Sequence, residues 1–163
     1  MNAMRNVTTD VPHSSAPTPP QPKTDSKIED KVFGDKKYYS MILNMPNLNS
    51  TSGSWIIRFA ELIPTKNDNT ELSAPVALNK VDPAYPADLI RDQVEGTVVL
   101  YAVIRADGTV NSVRILTSVE GRLDQSAVRA LQGWHFRPGT KRGTPVDIEA
   151  VVQIPFRVVK LKW

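Results

Sequence analysis

An α+β domain is the fold class this 163-residue sequence predicts. Its order is helix–strand–strand–helix–strand, preceded by a β-hairpin and a disordered Pro-rich arm. Three observations carry that expectation. Apolar residues alternate at period two in separate stretches around Tyr39–Met45, Trp55–Phe59, Val98–Ala106 and Val146–Val158, as half-buried strands require. Leu123, Ala127, Ala130, Leu131 and Trp134 form an apolar stripe at helical spacing. Five of the 13 prolines crowd between Pro12 and Pro22, where no packed element is expected.

Residues 1–36 read as a disordered arm, rich in Pro, Ser, Thr, Gln and Lys, that cannot bury enough apolar surface to offset its ordering entropy. Residues 37–63 read as a β-hairpin around the turn-rich stretch Asn47–Gly53. A lone hairpin is marginal in water, so this one must pack on the rest of the chain, a partner or a second copy. Residues 64–74 read as a linker, and 75–163 as the main domain.

Within that domain, Pro86 suits the first position of a short helix, with Asp88 in its first turn and Gly96 just past its end. Ala87, Ile90 and Val94 would share its apolar face. Val98, Leu100, Ala102, Ile104 and Ala106 form the core face of the first strand. Val99, Tyr101 and Val103 make its other face nearly as apolar, which marks a central strand. Asp107-Gly108 reads as a two-residue hairpin turn with φ > 0 at both positions, returning into Val110, Val113 and Ile115. Pro138-Gly139 closes the region of the second helix. In the last strand Val146, Ile148, Ala150, Val152, Ile154, Phe156 and Val158 face one way, and Asp147, Glu149, Gln153 and Arg157 the other. Pro155 lacks an N–H, which places this strand at a sheet edge. A right-handed crossover sets it parallel to the second strand, with the first between them.

The chemistry-bearing residues give no enzyme signature. His13 lies in the arm and His135 between two aromatics. Asp88, Asp107, Asp124 and Glu95 sit where helix starts, turns and helix ends already account for them. No paired-carboxylate, Ser-His-Asp or metal-ligand spacing occurs, so no catalysis, cofactor or metal is expected. Cysteine is absent, which excludes disulfides and thiolate chemistry. Gly139–Gly143 reads as an exposed loop. The net charge of +3 arises after residue 75, where 12 basic face 9 acidic groups against 8 of each before. Arg114, Arg122, Arg129, Arg137, Lys141 and Arg142 could form a basic patch, but few aromatics remain to stack bases, so no nucleic-acid partner is expected. No apolar run approaches the roughly 20 residues of a membrane span, and no membrane anchor is visible. What remains is a binding module whose last strand offers an open edge for strand addition.

Asp82-Pro83-Ala84-Tyr85-Pro86, Val94-Glu95-Gly96, Ala106–Val110, Leu123-Asp124, Trp134-His135-Phe136-Arg137-Pro138 and Val152–Arg157 occur in this order. The set resembles the TonB C-terminal domain family over about residues 75–160. The resemblance implies two helices on a three-stranded sheet, with Leu100, Ile104, Trp134 and Phe136 in the core. It also implies a periplasmic energy transducer, anchored to the inner membrane in the full-length family. Such a domain binds the TonB box of outer-membrane transporters by strand addition and supports active solute import. The pairing edge would be Ile148, Glu149, Ala150, Val151, Val152 and Gln153, flanked by Lys80, Val81, Asp82, Pro83, Tyr85 and Pro86. The ExbB–ExbD motor is a partner only where an upstream membrane anchor exists. The alternative is a non-transducing envelope interaction module, or a homodimer paired through the last strand. The hairpin falls outside the resemblance and could occupy the open edge, gating peptide access.

Overall fold

The structure is a computed structural model describing residues 23–43, 54–64 and 70–158. Thirteen elements follow one another: α1 (Lys23–Phe33), β1 (Tyr39–Leu43), β2 (Trp55–Glu61), β3 (Leu72–Ser73), β4 (Val76–Asn79), α2 (Ala87–Arg91), β5 (Gly96–Ile104), β6 (Val110–Thr117), α3 (Gly121–Gln132), β7 (His135–Arg137), β8 (Thr140–Lys141), β9 (Thr144–Pro145) and β10 (Ile148–Phe156). The helix–strand–strand–helix–strand order is present as α2, β5, β6, α3 and β10, with short strands inserted after α3.

Period-two alternation places β1, β2, β5, β6 and β10 in one five-stranded sheet, ordered β1-β2-β10-β5-β6, in which every neighbouring pair is antiparallel. β3, β8 and β9 form a second sheet, and β4 and β7 a third. The crossover through α3 therefore sets β10 parallel to β6 with β5 between them. The sheet is not limited to three strands. The hairpin of β1 and β2 is no separate subdomain, because β2 pairs directly with β10.

One sheet face carries the main core. Trp55, Ile57 and Phe59 of β2, Val98, Leu100 and Ile104 of β5, and Ile148, Val152, Ile154 and Phe156 of β10 are all at most 2% exposed. Leu123, Ala127 and Leu131 of α3 and Leu89 of α2 close over them. Trp134 stacks between Trp55 (4.5 Å between centroids) and Phe136 (5.8 Å).

The opposite face is covered by α1, within the expected disordered arm; residues 1–22 of that arm lie outside the described residues. Ile28 and Val32, four apart, and Phe33 pack on Ala60, Val99 and Val151, the one-sided contact that i,i+4 spacing produces. Gly34 ends the helix at φ 59, its N–H bonded to the Asp30 carbonyl, a left-handed stop that glycine adopts without steric cost.

Three local expectations are corrected. α2 ends at Arg91 rather than near Gly96, because Gln93 turns to φ 57, and it buries Leu89 rather than Ala87. The turn after β5 needs positive φ only at Gly108 (φ 89) and not at Asp107, because the loop closes by Arg105 N–H to Thr109 and Gly108 N–H to Arg105. A Cβ on Gly108 would stand 2.1 Å from the Phe136 carbonyl oxygen, so both φ and contact demand glycine. The linker region contains β3, paired with β8, while residues 65–69 lie outside the described residues.

Candidate strand-pairing interface

β10 is an interior strand. Ile148–Phe156 pair along β5, and Ile148–Gln153 pair along Glu61–Ile56 of β2. The expectation of a free edge at Ile148, Glu149, Ala150, Val151, Val152 and Gln153 is overturned. Pro155 misled it: pairing with β2 stops at Gln153, so the missing N–H falls beyond the shared register.

The second half of the expected site lies elsewhere on the domain. Val81 accepts a hydrogen bond from Trp134 Nε1 (2.9 Å), and Tyr85 donates to the Val94 carbonyl (2.6 Å). The Tyr85 ring meets Phe156 edge-on at 5.3 Å. Burial raises the Tyr85 phenol pKa, with Glu95 acting in the same direction. Pro83 is buried and Pro86 caps α2, whereas Lys80, Val81 and Asp82 are exposed. Lys80–Pro86 thus braces Trp134 and the end of β10, where Tyr85 meets Phe156.

β2 is held on both sheet faces. On the core side it buries Trp55, Ile57 and Phe59. On the α1 side Arg58 Nη1 lies 3.2 Å from Glu29 Oε2, with both residues at most 3% exposed. Lys36 donates to the carbonyls of Glu61 (2.9 Å) and Leu62 (3.1 Å), and its ammonium also pairs with Glu149 of β10. Tyr101 donates to the other Glu149 oxygen (2.8 Å), while Arg114 lies over the Tyr101 ring at 4.4 Å. Burial, seconded by Glu149, pushes the Tyr101 phenol up to about 12. Lys36 and Tyr101 let the carboxylate of Glu149 face a covered surface where the sequence suggested solvent; Gln153 is buried on β10 as well.

Withdrawing β2 would return Trp55, Ile57 and Phe59 to water at about 1.5–3 kcal/mol each, besides leaving Glu29 buried without Arg58. A peptide bound at micromolar Kd supplies about 8 kcal/mol. Displacement of β2 would therefore consume most of such a peptide's binding energy.

The remaining strand edges differ. β6 carries two register shifts against β5 and a residue at φ 55, Ser112. β4 shifts register between Ala77 and Asn79. β1 pairs with β2 through five consecutive register pairs without a shift. Beside its start lies a cavity of about 620 Å³, lined in part by Lys36, Lys37, Tyr39, Glu61 and Lys141.

The expected chemistry-bearing residues are mostly engaged structurally. His135 is exposed on β7. Arg122 bonds Asp88 and Glu120, which holds the Asp88 carboxyl below its ordinary range. Lys141 pairs with Glu61. Gly139–Gly143, read as a loop, includes β8 and the tight turn into β9, with Arg142 and Gly143 at φ 55 and 79. Among the described residues no group of three or more metal-ligating side chains converges, and no helix is long and apolar enough to cross a membrane. Sequence reasoning missed Glu29, Lys36 and Arg58. The i,i+4 pairs Ile28/Val32 and Glu29/Phe33 were the available signal.

Residues 81–158 match the family model described as the Gram-negative bacterial TonB protein C-terminal. The chain is 35% identical over 83 residues to Protein tonB2 of Pseudomonas aeruginosa, covering 50% of this chain and 30% of that one. It is 32% identical over 87 residues to Protein TonB of Escherichia coli, covering 53% and 34%. Against Protein TonB of Vibrio cholerae the identity is 30% over 103 residues, covering 58% and 42%. The chain thus spans well under half the length of these relatives. A solution NMR structure of the Pseudomonas aeruginosa TonB C-terminal domain aligns at TM-score 0.48 and 26% identity, over 60% of this chain and 95% of that one. α1, β1 and β2 all precede the matched residues. The TonB C-terminal domain family is the family to which residues 81–158 of this chain belong.

Proposed function

We propose that this chain is a TonB-type coupling module of the periplasm. It takes up an extended segment, the TonB box, of an outer-membrane transporter by strand addition and so supports active solute import. The ExbB–ExbD motor is a partner where the domain is carried on a membrane-anchored protein. The observation that carries the reading is the family membership of residues 81–158. A sheet that ends in strands with unpaired outer edges among the described residues agrees with it, because such edges present the main-chain groups that bind extended peptides. Binding of this kind needs no covalent chemistry. Calorimetric titration of the whole chain with synthetic TonB-box peptides tests the reading: saturable binding is expected, and its absence across a panel of transporter sequences contradicts it.

One observation favours a second reading. The β10 side, which the resemblance assigned to the partner, is occupied by β2. A non-transducing envelope module, or a homodimer paired through another edge, is compatible with that closure. Sedimentation at rising concentration separates the two, since a tight dimer indifferent to TonB-box peptide supports the second.

A further inference from the structure

We infer that the strand-accepting edge of this chain is β1, so that an incoming extended segment pairs with Tyr39–Leu43 and becomes the sixth strand of the sheet. The inference rests on the strand-addition reading and relocates its site from β10.

The geometry narrows the choice. β10 is closed by β2 over its six shared register positions, and β2 is anchored in two cores. An edge resists foreign strands when it is bulged, twisted or charged. β6 and β4 carry register shifts. β1 has neither a bulge nor a charge: its five pairs run without interruption, and Tyr39, Ser40, Met41, Ile42 and Leu43 include no proline and no charged residue. Ile42 is 65% exposed, although it sits in the middle of a paired strand.

The occupant that fits is a short extended segment of another protein. Five residues of strand extend only about 17 Å, and a stable dimer interface needs on the order of 1,200 Å² or more. β1 offers a second copy little exposed apolar surface beyond Tyr38 and Ile42. A linear peptide instead draws its affinity from main-chain bonds, with alternate side chains setting specificity. Charge adds a second element. Lys37, just before β1, lies over the Tyr39 ring at 5.2 Å, and its ion pair with Glu71 is loose (4.0 Å) with both side chains well exposed. The partner segment would set an apolar residue near Ile42 and a carboxylate near Lys37.

The cysteine-free chain makes the test direct. Ile42→Cys and Ile115→Cys each introduce one thiol, on β1 and β6, for disulfide trapping of a TonB-box peptide bearing a single cysteine. Separately, Ile56→Cys with Gln153→Cys, a register pair of β2 and β10, locks the hairpin in place once oxidised. Circular dichroism of each variant confirms the fold before titration. The inference expects trapping at position 42 and not at 115, with peptide affinity of the locked chain within about twofold of its reduced form. A loss of about tenfold or more on locking shows that the peptide displaces β2, which overturns the inference and leaves strand addition standing. Trapping at 115 overturns it in favour of β6. A peptide-independent dimer linked through position 42 overturns it in favour of a second copy. No binding to any form removes both this inference and the strand-addition reading.

Discussion

Residues 81–158 and the segment that precedes them obey different rules, although they share one sheet. The matched region builds its own helix–strand–strand–helix–strand core, and its apolar residues recur at the periods of those elements. The α1–β1–β2 segment has no core of its own. It borrows both faces of β10 and β5, covering one with α1 and extending the other with Trp55, Ile57 and Phe59. A strand that reads as an edge within one region becomes interior once the other is added. The exposure of a pairing site is therefore a property of the whole chain, and family likeness over half of it does not determine which edge is free.

The most severe way to break this comparison is to remove residues 1–63. If the segment were an appendage, the remainder would keep its stability and bind peptide more tightly at β10. Deletion instead should cost more stability than any single substitution, and chemical denaturation of the remainder should show an early, broad transition. Next come the stacked indoles. Trp134→Ala should destabilise by about 3–5 kcal/mol, and Trp55→Ala, though outside the matched region, by a similar amount. The double variant should lose less than the two separate effects, because the rings share one contact.

Breaking the buried Arg58–Glu29 pair comes third. Arg58→Ala should cost about 3–5 kcal/mol, because it takes the guanidinium away from the buried Glu29 carboxylate. Replacing both residues with methionine should cost distinctly less, as measured by urea titration. Gly108→Ala follows at about 1–3 kcal/mol, from its positive φ and the contact with Phe136; the melting temperature reads it.

The smallest effect is confined to alkaline solution. The Tyr101 phenol is raised from 10.0 to about 12 in the folded chain, so its stabilising contribution is complete below about pH 10 and is lost as pH rises through about 12. Tyr101→Phe should flatten the alkaline limb of the stability–pH curve. It should leave the neutral region lower only by the loss of one hydrogen bond to Glu149.

The sequence made much of this architecture legible. Alternation located β1, β2, β5 and β10, and the stripe from Leu123 to Leu131 located α3, because one-sided burial writes its period directly into the residues. The helix α1 was not legible, because Lys23–Phe33 is mostly polar and follows a run of prolines; its apolar residues, Ile28, Val32 and Phe33, are few. The interior position of β10 was hidden for a related reason. Glu149 and Gln153 look solvent-facing, yet Lys36 and Tyr101 satisfy Glu149 beneath α1, and Pro155 falls just past the last β2 pair. Burial made possible by distant partners leaves no local period to read. The Lys80–Pro86 half of the candidate site was legible as a motif, but its positions by Trp134 and Phe156 required the fold.

Amide hydrogen exchange under native conditions tests most directly whether the hairpin is integral to the domain. If β2 closes β10 as part of one cooperative unit, the protected amides of Ile56–Ala60 should exchange as slowly as those of β5, through global unfolding. Exchange of the β2 amides faster than β5 by about a hundredfold or more would show the hairpin opening on its own, and would contradict the account.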